Sequence, residues 1–260
     1  MIPYIELHPI SLGPVEIQPF GMFVCITIVV GAILAGRRAR KVGLAPGIIG
    51  NTVRVTAIVG IFGSHLVHVL AYHPQELERD PWILFKFWAG MSSLGGFFSA
   101  AIGVFVYLRW KRIAFLPYAE AILFGFVPAW MIARIGCATA HDHPGRYSQF
   151  PLAVRFPDGP RHDLGLYEVL LSLIWVPLIY WLGRKNKIDD PPRGTILSVM
   201  TIAYCVPRFI LDFLRATDLP GHDVRYLGLT PAQYGCLILT GLSVSFLIRL
   251  RTRVDRPITA

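Results

Sequence analysis

Apolar residues in this chain gather into seven long stretches separated by polar connections, near Phe20 to Gly36, Gly47 to Ala71, Leu94 to Leu108, Phe115 to Ala140, Leu164 to Gly183, Gly194 to Leu214 and Pro231 to Ile248. Covering a hydrocarbon core about 30 Å thick takes a helix of about 17 to 25 mostly apolar residues, because lipid offers the backbone no hydrogen-bond partner. The pattern predicts an all-α polytopic membrane protein with seven transmembrane helices and its termini on opposite faces. No fixed-period repeat and no low-complexity tract interrupts it, so residues 1–260 read as a single integral-membrane domain. The connection from His141 to Asp163 contains Pro144, Gly145, Pro151, Pro157, Gly159 and Pro160 around an apolar, strand-like piece at Leu152 to Phe156. It predicts a structured turn region.

Lysine and arginine choose the orientation, since cytoplasmic connections hold them in excess. Arg37, Arg38, Arg40 and Lys41 follow the first span; Arg109, Lys111 and Arg112 the third; Arg184, Lys185, Lys187 and Arg193 the fifth; Arg249, Arg251, Arg253 and Arg256 the last. These fifteen cations face seven on the other side, namely Arg79, Lys86, Arg146, Arg155, Arg161, Arg215 and Arg225. The expected arrangement is an outside N-terminus and a cytoplasmic C-terminus.

Composition agrees with the pattern: 54% of the residues are hydrophobic, 16% are charged, and the mean hydropathy is +0.53. The net charge of +9 sits mainly in short connections, where anionic lipid headgroups account for it, and no nucleic-acid partner is expected. Glu6, Glu16 and several prolines precede the first span without a basic n-region or a small-residue cleavage site behind it. That span reads as a permanent helix, not a secretory signal. Cys25, Cys137, Cys205 and Cys236 lie in or beside spans, as buried small hydrophobes do.

Three arginines, Arg54, Arg134 and Arg208, fall within spans. A cation near a bilayer centre costs about 2.5 to 3.5 kcal/mol on insertion scales, which makes such a residue a functional-site candidate. Arg54, beside Asn51 at an inner end, reaches the interface or pairs among the helices. The fourth and sixth spans both run outward, so Arg134 and Arg208, each about six residues from the outer end, share a depth of roughly 9 Å at about 1.5 Å per residue.

Around them the chemistry is patterned. Tyr204, Arg208, Asp212 and Arg215 stand at i, i+4, i+8 and i+11, one stripe of a helix that Pro207 is expected to kink. Trp130, Arg134 and His141 stack in the same way on the fourth span. The third and fifth spans begin at the same outer face, with Gly90-Met91-Ser92-Ser93-Leu94-Gly95-Gly96 and with Arg161-His162-Asp163-Leu164-Gly165-Leu166-Tyr167-Glu168. A glycine-rich helix entry offers backbone N–H groups to an anion, and paired guanidinium groups match a phosphodiester. The expected ligand is a phosphate in the outer leaflet, where phospholipid headgroups lie. The same residues also allow a plainer reading: Arg208 with Asp212 and Arg134 with Glu168 as buried ion pairs, Gly95-Gly96 as a close helix contact, and His65 with His68 as a packed pair. His141-Asp142-His143 could hold zinc, but no His-Glu-x-x-His or cysteine pair supports it, and neither a metal nor another cofactor is expected.

These residues resemble the bacterial prolipoprotein diacylglyceryl transferases, a family of seven-span inner-membrane enzymes. Gly13-Pro14 with Phe20-Gly21 resembles the family's opening Gly-Pro then Tyr-Gly, and Trp88 to Gly96 its Gly-Gly-Met-Ser-Phe-His-Gly-Gly segment. Ala133-Arg134-Ile135-Gly136-Cys137 through Gly145-Arg146 is similar in length and frame to the signature Gly-Arg-x-Gly-Asn-Phe-x-Asn-x-Glu-x-x-Gly-Arg. His162 with Leu166-Tyr167-Glu168 resembles His-Pro-Ser-Gln-Leu-Tyr-Glu. Tyr204, Arg208-Phe209, Asp212-Phe213 and Arg215 resemble the sixth span, and Leu229-Thr230 with Gln233 the start of the last.

The resemblance implies transfer of a diacylglyceryl group from phosphatidylglycerol to the lipobox cysteine thiol of prolipoproteins at the outer face of the inner membrane, releasing glycerol phosphate. It implies that Arg134 and Arg208 hold the phosphate, with Gly95, Gly96, Gly145, Arg146, Glu168 and Asp212 shaping the site beside Tyr204. The partners implied are phosphatidylglycerol, prolipoprotein signal peptides and membrane lipid. Leu94 stands where the family has a histidine, Cys137 and Ala140 where it has asparagines, and Asp142 where it has glutamate. A leucine cannot accept a proton, so either His162, His141 or His143 serves as the base, with His162 preferred because the family keeps a histidine there, or the arginines alone lower the thiol pKa. The competing functions are a non-catalytic relative that binds phospholipid or lipoprotein and a small-anion transporter, the latter disfavoured by the missing internal repeat.

Overall fold

A computed structural model describes residues 1–12, 15–72, 74–86, 93–184, 192–219 and 225–254. Gly13-Pro14, the run from Trp88 to Ser92, Lys185, Lys187, Arg256 and the side chain of Leu94 lie outside the described residues. In chain order the elements are β1 (Ile10–Leu12), β2 (Val15–Ile17), α1 (Pro19–Lys41), α2 (Pro46–Val67), α3 (Pro74–Arg79), α4 (Ser93–Trp110), α5 (Phe115–Ala140), β3 (Pro144–Tyr147), β4 (Val154–Phe156), β5 (Gly159–Asp163), α6 (Leu164–Leu182), α7 (Thr195–Leu211) and α8 (Pro231–Val254). A π-helical turn, His68–Tyr72, extends α2, and 3₁₀ turns cover Pro81–Phe85 and Asp212–Leu214.

The chain is an all-α polytopic membrane protein. Among the described residues six helical runs are long and apolar enough to cross a membrane: Pro19–Lys41, Pro46–Leu70, Phe115–Ala140, Leu164–Leu182, Thr195–Leu214 and Pro231–Thr252. The apolar part of α4, Phe98–Trp110, is shorter than these. Many of their large apolar side chains are exposed, Ile238 at 63% and Phe98 at 66% among them, as a lipid-facing surface requires. Two compact units emerge, Met1–Ala35 with Ile122–Ala260, and Gly36–Ala121.

In the unit Gly36–Ala121, small residues set the packing of α2 on α4. A Cβ on Gly63 would lie 2.1 Å from Ser99 Cβ, and one on Gly95 would lie 2.5 Å from Val67 Cβ and 2.9 Å from the Gly63 carbonyl oxygen. Side chains there would force the helices apart. His65 is fully buried and its Nε2–H donates to the Ile83 carbonyl at 2.8 Å, which docks the Pro81–Phe85 turn on α2. Arg54 is exposed and donates to Asn51 Oδ1 at 3.2 Å.

In the other unit, Phe124 and Val127 of α5, Trp175 and Ile179 of α6, and Ile196 and Met200 of α7 form a buried apolar cluster. Trp175 Nε1–H donates to the Ala203 carbonyl at 2.9 Å, tying α6 to α7. Glycine again permits the closest approaches: a Cβ on Gly165 would lie 2.9 Å from Ala138 N, so α6 can start directly against the end of α5. The connection between those helices is a three-stranded antiparallel sheet in the order β3-β5-β4, with Tyr147 and Val154 both paired to Arg161. Ile2 runs beside Val154, its N–H donating to the Ala153 carbonyl at 2.9 Å. Asp163 ends β5 and caps α6, its Oδ1 accepting the Leu166 N–H at 3.0 Å.

Candidate active site

Helix geometry brings three polar stripes to one place. Arg134 lies near the C-terminal end of α5, Glu168 in the first turns of α6, and Tyr204 and Arg208 near the end of α7, with Asp212 just beyond in the 3₁₀ turn. Arg134 Nε meets Glu168 Oε2 at 2.8 Å, and Glu168 Oε1 lies 3.7 Å from Arg208 Nη1. Arg208 Nη2 in turn reaches Asp212 Oδ1 at 3.3 Å, and Arg215 Nε reaches that oxygen at 3.2 Å. Charges thus alternate from Arg134 through Glu168, Arg208 and Asp212 to Arg215. Glu168 and Asp212 are 0% and 1% exposed, Arg134 and Arg208 only 7% and 8%.

A buried charge keeps its ionised form only where partners replace the lost water. Thr230 donates its hydroxyl to Asp212 Oδ2, Asp212 Oδ1 is met by the charges of Arg208 and Arg215 without a hydrogen bond, and Arg225 Nη2 donates to the Asp212 main-chain carbonyl at 2.9 Å. Gln233 positions Thr230, accepting its backbone N–H at 2.9 Å, and also donates to the Phe209 carbonyl at 3.0 Å. Three guanidinium groups still outnumber two carboxylates in this array, which leaves it electropositive toward an anion. The guanidinium of Arg134 lies over the Trp130 ring, 4.4 Å from its centroid, and Trp130 and Trp175 flank the Tyr204 ring. Its Nη1 is 3.5 Å from Cys137 Sγ and 3.4 Å from His143 Nε2, both weaker acceptors than a phosphate oxygen.

The three candidate histidines part company. His141 has its Nδ1 2.6 Å from Asp163 Oδ2 and its Nε2 3.1 Å from the Ile5 carbonyl, so both ring nitrogens are committed to acceptors. Its ring also stacks on Tyr4. His162 Nδ1 lies 2.7 Å from the Tyr167 hydroxyl, and burial lowers the pKa of the ring. His143 alone of the three contacts Arg134, and its Nδ1 is 2.7 Å from Asp142 Oδ1.

Glycines placed in the site by sequence have packing roles. Gly145 bridges to Arg215, and a Cβ there would lie 2.6 Å from both His162 Cβ and the Leu214 carbonyl oxygen. Arg146 is exposed on β3. Gly95 and Gly96 belong to the unit Gly36–Ala121, where they pack on α2.

Arg161 was not singled out by sequence, yet it is 2% exposed and organises the sheet. It forks onto Asp218 at 3.1 and 2.6 Å, donates from Nε to Asp158 at 2.9 Å and reaches the Gly145 carbonyl at 3.2 Å. Those bonds raise its pKa, Asp218 first and Asp158 second, and hold both exposed carboxyls below the usual range. Its only sequence signal was its being one of three arginines in a turn-rich connection; its partner Asp218 is 57 residues away.

The model of the prolipoprotein diacylglyceryl transferase family matches residues 8–249, nearly the whole chain. The chain belongs to that family. Its similarity extends to the phosphatidylglycerol–prolipoprotein diacylglyceryl transferase of Methylococcus capsulatus, 31% identical over 93% of this chain and 95% of that protein. Proteins of the same name from Chromohalobacter salexigens and Nitratidesulfovibrio vulgaris are 30% and 27% identical, over 90% and 99% of this chain and 88% and 99% of their own lengths. This diacylglyceryl transferase family member is a multi-pass protein of the bacterial inner membrane. Within the matched region fall Arg134, Glu168, Tyr204, Arg208 and Asp212, the residues that the fold assembles into one charged array.

Proposed function

We propose that this protein transfers a diacylglyceryl group from phosphatidylglycerol to the lipobox cysteine thiol of prolipoproteins, with the array around Arg134 and Arg208 facing the outer leaflet. The observation that carries the reading is Glu168, fully buried between the two arginines, in a chain of this family. Glu168 fixes both guanidinium groups in place, and the cation excess leaves the array able to take one anionic phosphodiester. Arg134 Nη1, facing a thiol and an imidazole nitrogen, is the edge on which a phosphate oxygen gains most.

The reaction places its demands at that edge. A thiolate attacks the diacylglyceryl carbon, the C–O bond to the phosphate breaks, and its electron pair leaves on a phosphate oxygen as glycerol phosphate. Charge grows on the phosphate as the bond breaks, so preorganised guanidinium groups stabilise the transition state more than the ground state. Asp212, clamped by Thr230 and Arg215, holds Arg208 in register, and Tyr204 lines the approach between two tryptophans.

The test is a transfer assay with purified protein in detergent, phosphatidylglycerol and a lipobox peptide bearing one cysteine, read by mass spectrometry. A diacylglyceryl thioether with released glycerol phosphate is expected, and Arg134→Ala or Arg208→Ala abolishes it. An active double variant would overturn the assignment. Phosphatidylglycerol binding without product would make the protein a non-catalytic relative.

A further inference from the structure

The geometry points to His143, with the Asp142 carboxylate beside it, as the base that removes the proton from the incoming lipobox thiol; this rests on the transferase reading above. A base for this step needs a nitrogen lone pair beside the phosphate, because the thiolate must attack the carbon one bond away from a phosphate oxygen. His143 Nε2 is 3.4 Å from Arg134 Nη1. A guanidinium nitrogen can only donate, so Nε2 is the accepting nitrogen and Nδ1 bears the hydrogen. Asp142 Oδ1 lies 2.7 Å from that nitrogen, close but without hydrogen-bond alignment. A carboxylate at that distance favours, through its charge, the imidazolium that forms when the ring takes a proton.

Sulphur already fits on this edge, since Cys137 Sγ lies 3.5 Å from the same Nη1. A second thiol approaching a phosphate held by Arg134 would therefore arrive next to Nε2. The segment is also stiff where it matters: the His143 carbonyl accepts the Leu164 N–H at 3.1 Å, joining it to the start of α6. His141 has no nitrogen to offer, and His162 is turned to Tyr167.

The step balances. The thiol S–H proton passes to His143 Nε2, the S–C bond forms as the C–O bond breaks, and glycerol phosphate departs with the electron pair. The proton then leaves the imidazolium for that phosphate or for water. Asp142 acts on this step only through the charge it places beside His143.

A selenocysteine peptide gives the test its resolution, because a selenol is already ionised at neutral pH and needs no base. In His143→Gln, transfer to the cysteine lipobox peptide should fall about 10²- to 10⁴-fold, the usual contribution of a general base, while transfer to the selenocysteine peptide stays within a few-fold of wild type. Added imidazole should restore part of the loss in His143→Gly. Equal loss on both peptides would make His143 structural and overturn the proposal, as would full activity of His143→Gln on the cysteine peptide. A wild-type protein that forms no thioether with either peptide would overturn the transferase reading and the base together; an active wild type with an active His143→Gln would sink the base alone.

Discussion

Arg134 and Glu168 meet through Nε and Oε2 at 2.8 Å, with side chains 8% and 0% exposed, so neither charge has water to fall back on. Two consequences separate. Arg134→Ala strands a carboxylate that Arg208, at 3.7 Å, compensates weakly, and breaking a buried pair from one side costs about 3 to 5 kcal/mol. Replacing both by apolar residues of similar volume is often neutral or better. Arg134→Ala should therefore melt well below wild type, whereas Arg134→Met with Glu168→Met should melt close to it and still form no thioether. A double variant as unstable as the single one would show that the pair contributes more than mutual charge compensation.

The extramembrane sheet contains two titrations of opposite kind. Arg161 holds Asp158 and Asp218 below the ordinary carboxylate range, chiefly by hydrogen bonding. A depressed carboxylate contributes stability above its unfolded value of about 3.9 and loses it only as the pH falls through the lower folded value. His162 is depressed by burial, so the fold favours its neutral ring; that contribution is present above about 6.5 and fades as the pH falls below it, because the unfolded ring then takes up the proton. Protection of the β5 amides, with exchange corrected for its base-catalysed intrinsic rate, should thus fall between pH 7 and 5, and His162→Gln should flatten the change. If Arg161→Gln flattens it instead, the assignment of the two windows is wrong.

How far the sequence carries depends on the range of the interaction. The bounds of α5, Phe115–Ala140, follow from an apolar run between basic and turn-forming residues, both local signals. The pairs Arg134 with Glu168 and Arg208 with Asp212 could be anticipated because helix period and shared depth confine each partner to a small region. Histidine roles could not. Whether His141, His143 or His162 has a nitrogen to offer depends on Ile5, Asp142, Arg134, Asp163 and Tyr167, and one of those meetings, between Ile5 and His141, spans 136 residues. The junction of Arg161 with Asp218 and that of Thr230 with Asp212 likewise arise from tertiary packing, with no periodic trace.

Glycines in equivalent-looking helical settings should behave oppositely. A Cβ on Gly125 would stand 2.1 Å from the Gly31 carbonyl oxygen and 2.7 Å from Ala35 N, which are backbone atoms that cannot turn aside. Gly241 of α8 has nothing within 4 Å. Alanine is favoured over glycine inside a helix by about 1 kcal/mol, so Gly241→Ala should leave the melting temperature unchanged or raise it. Gly125→Ala should lower it by separating α1 from α5. Equal effects in thermal melts would show that the close contact yields without cost.

His141 joins the N-terminal segment to the start of α6, and its ring makes two kinds of contact that one substitution can divide. Phenylalanine keeps the stacking on Tyr4, whose ring centroid is 4.1 Å away, and the edge contact with Phe156. It deletes the bonds to Asp163 Oδ2 and the Ile5 carbonyl. Asp163 is fully buried and would keep its bond to the Leu166 N–H while losing its partner on Oδ2. A lost hydrogen bond to a charged group costs about 1.5 to 3 kcal/mol, and the Ile5 carbonyl is also left without its ring donor. His141→Phe should therefore expose residues 1–9 to proteolysis at concentrations of protease that leave the wild type intact. Transfer activity should fall less than in His143→Gln, because the His141 ring bonds to Asp163 and the Ile5 carbonyl while His143 touches Arg134. An intact N-terminal segment in His141→Phe would mean that the strand contacts of Ile2 with Ala153 and Arg155 hold it unaided.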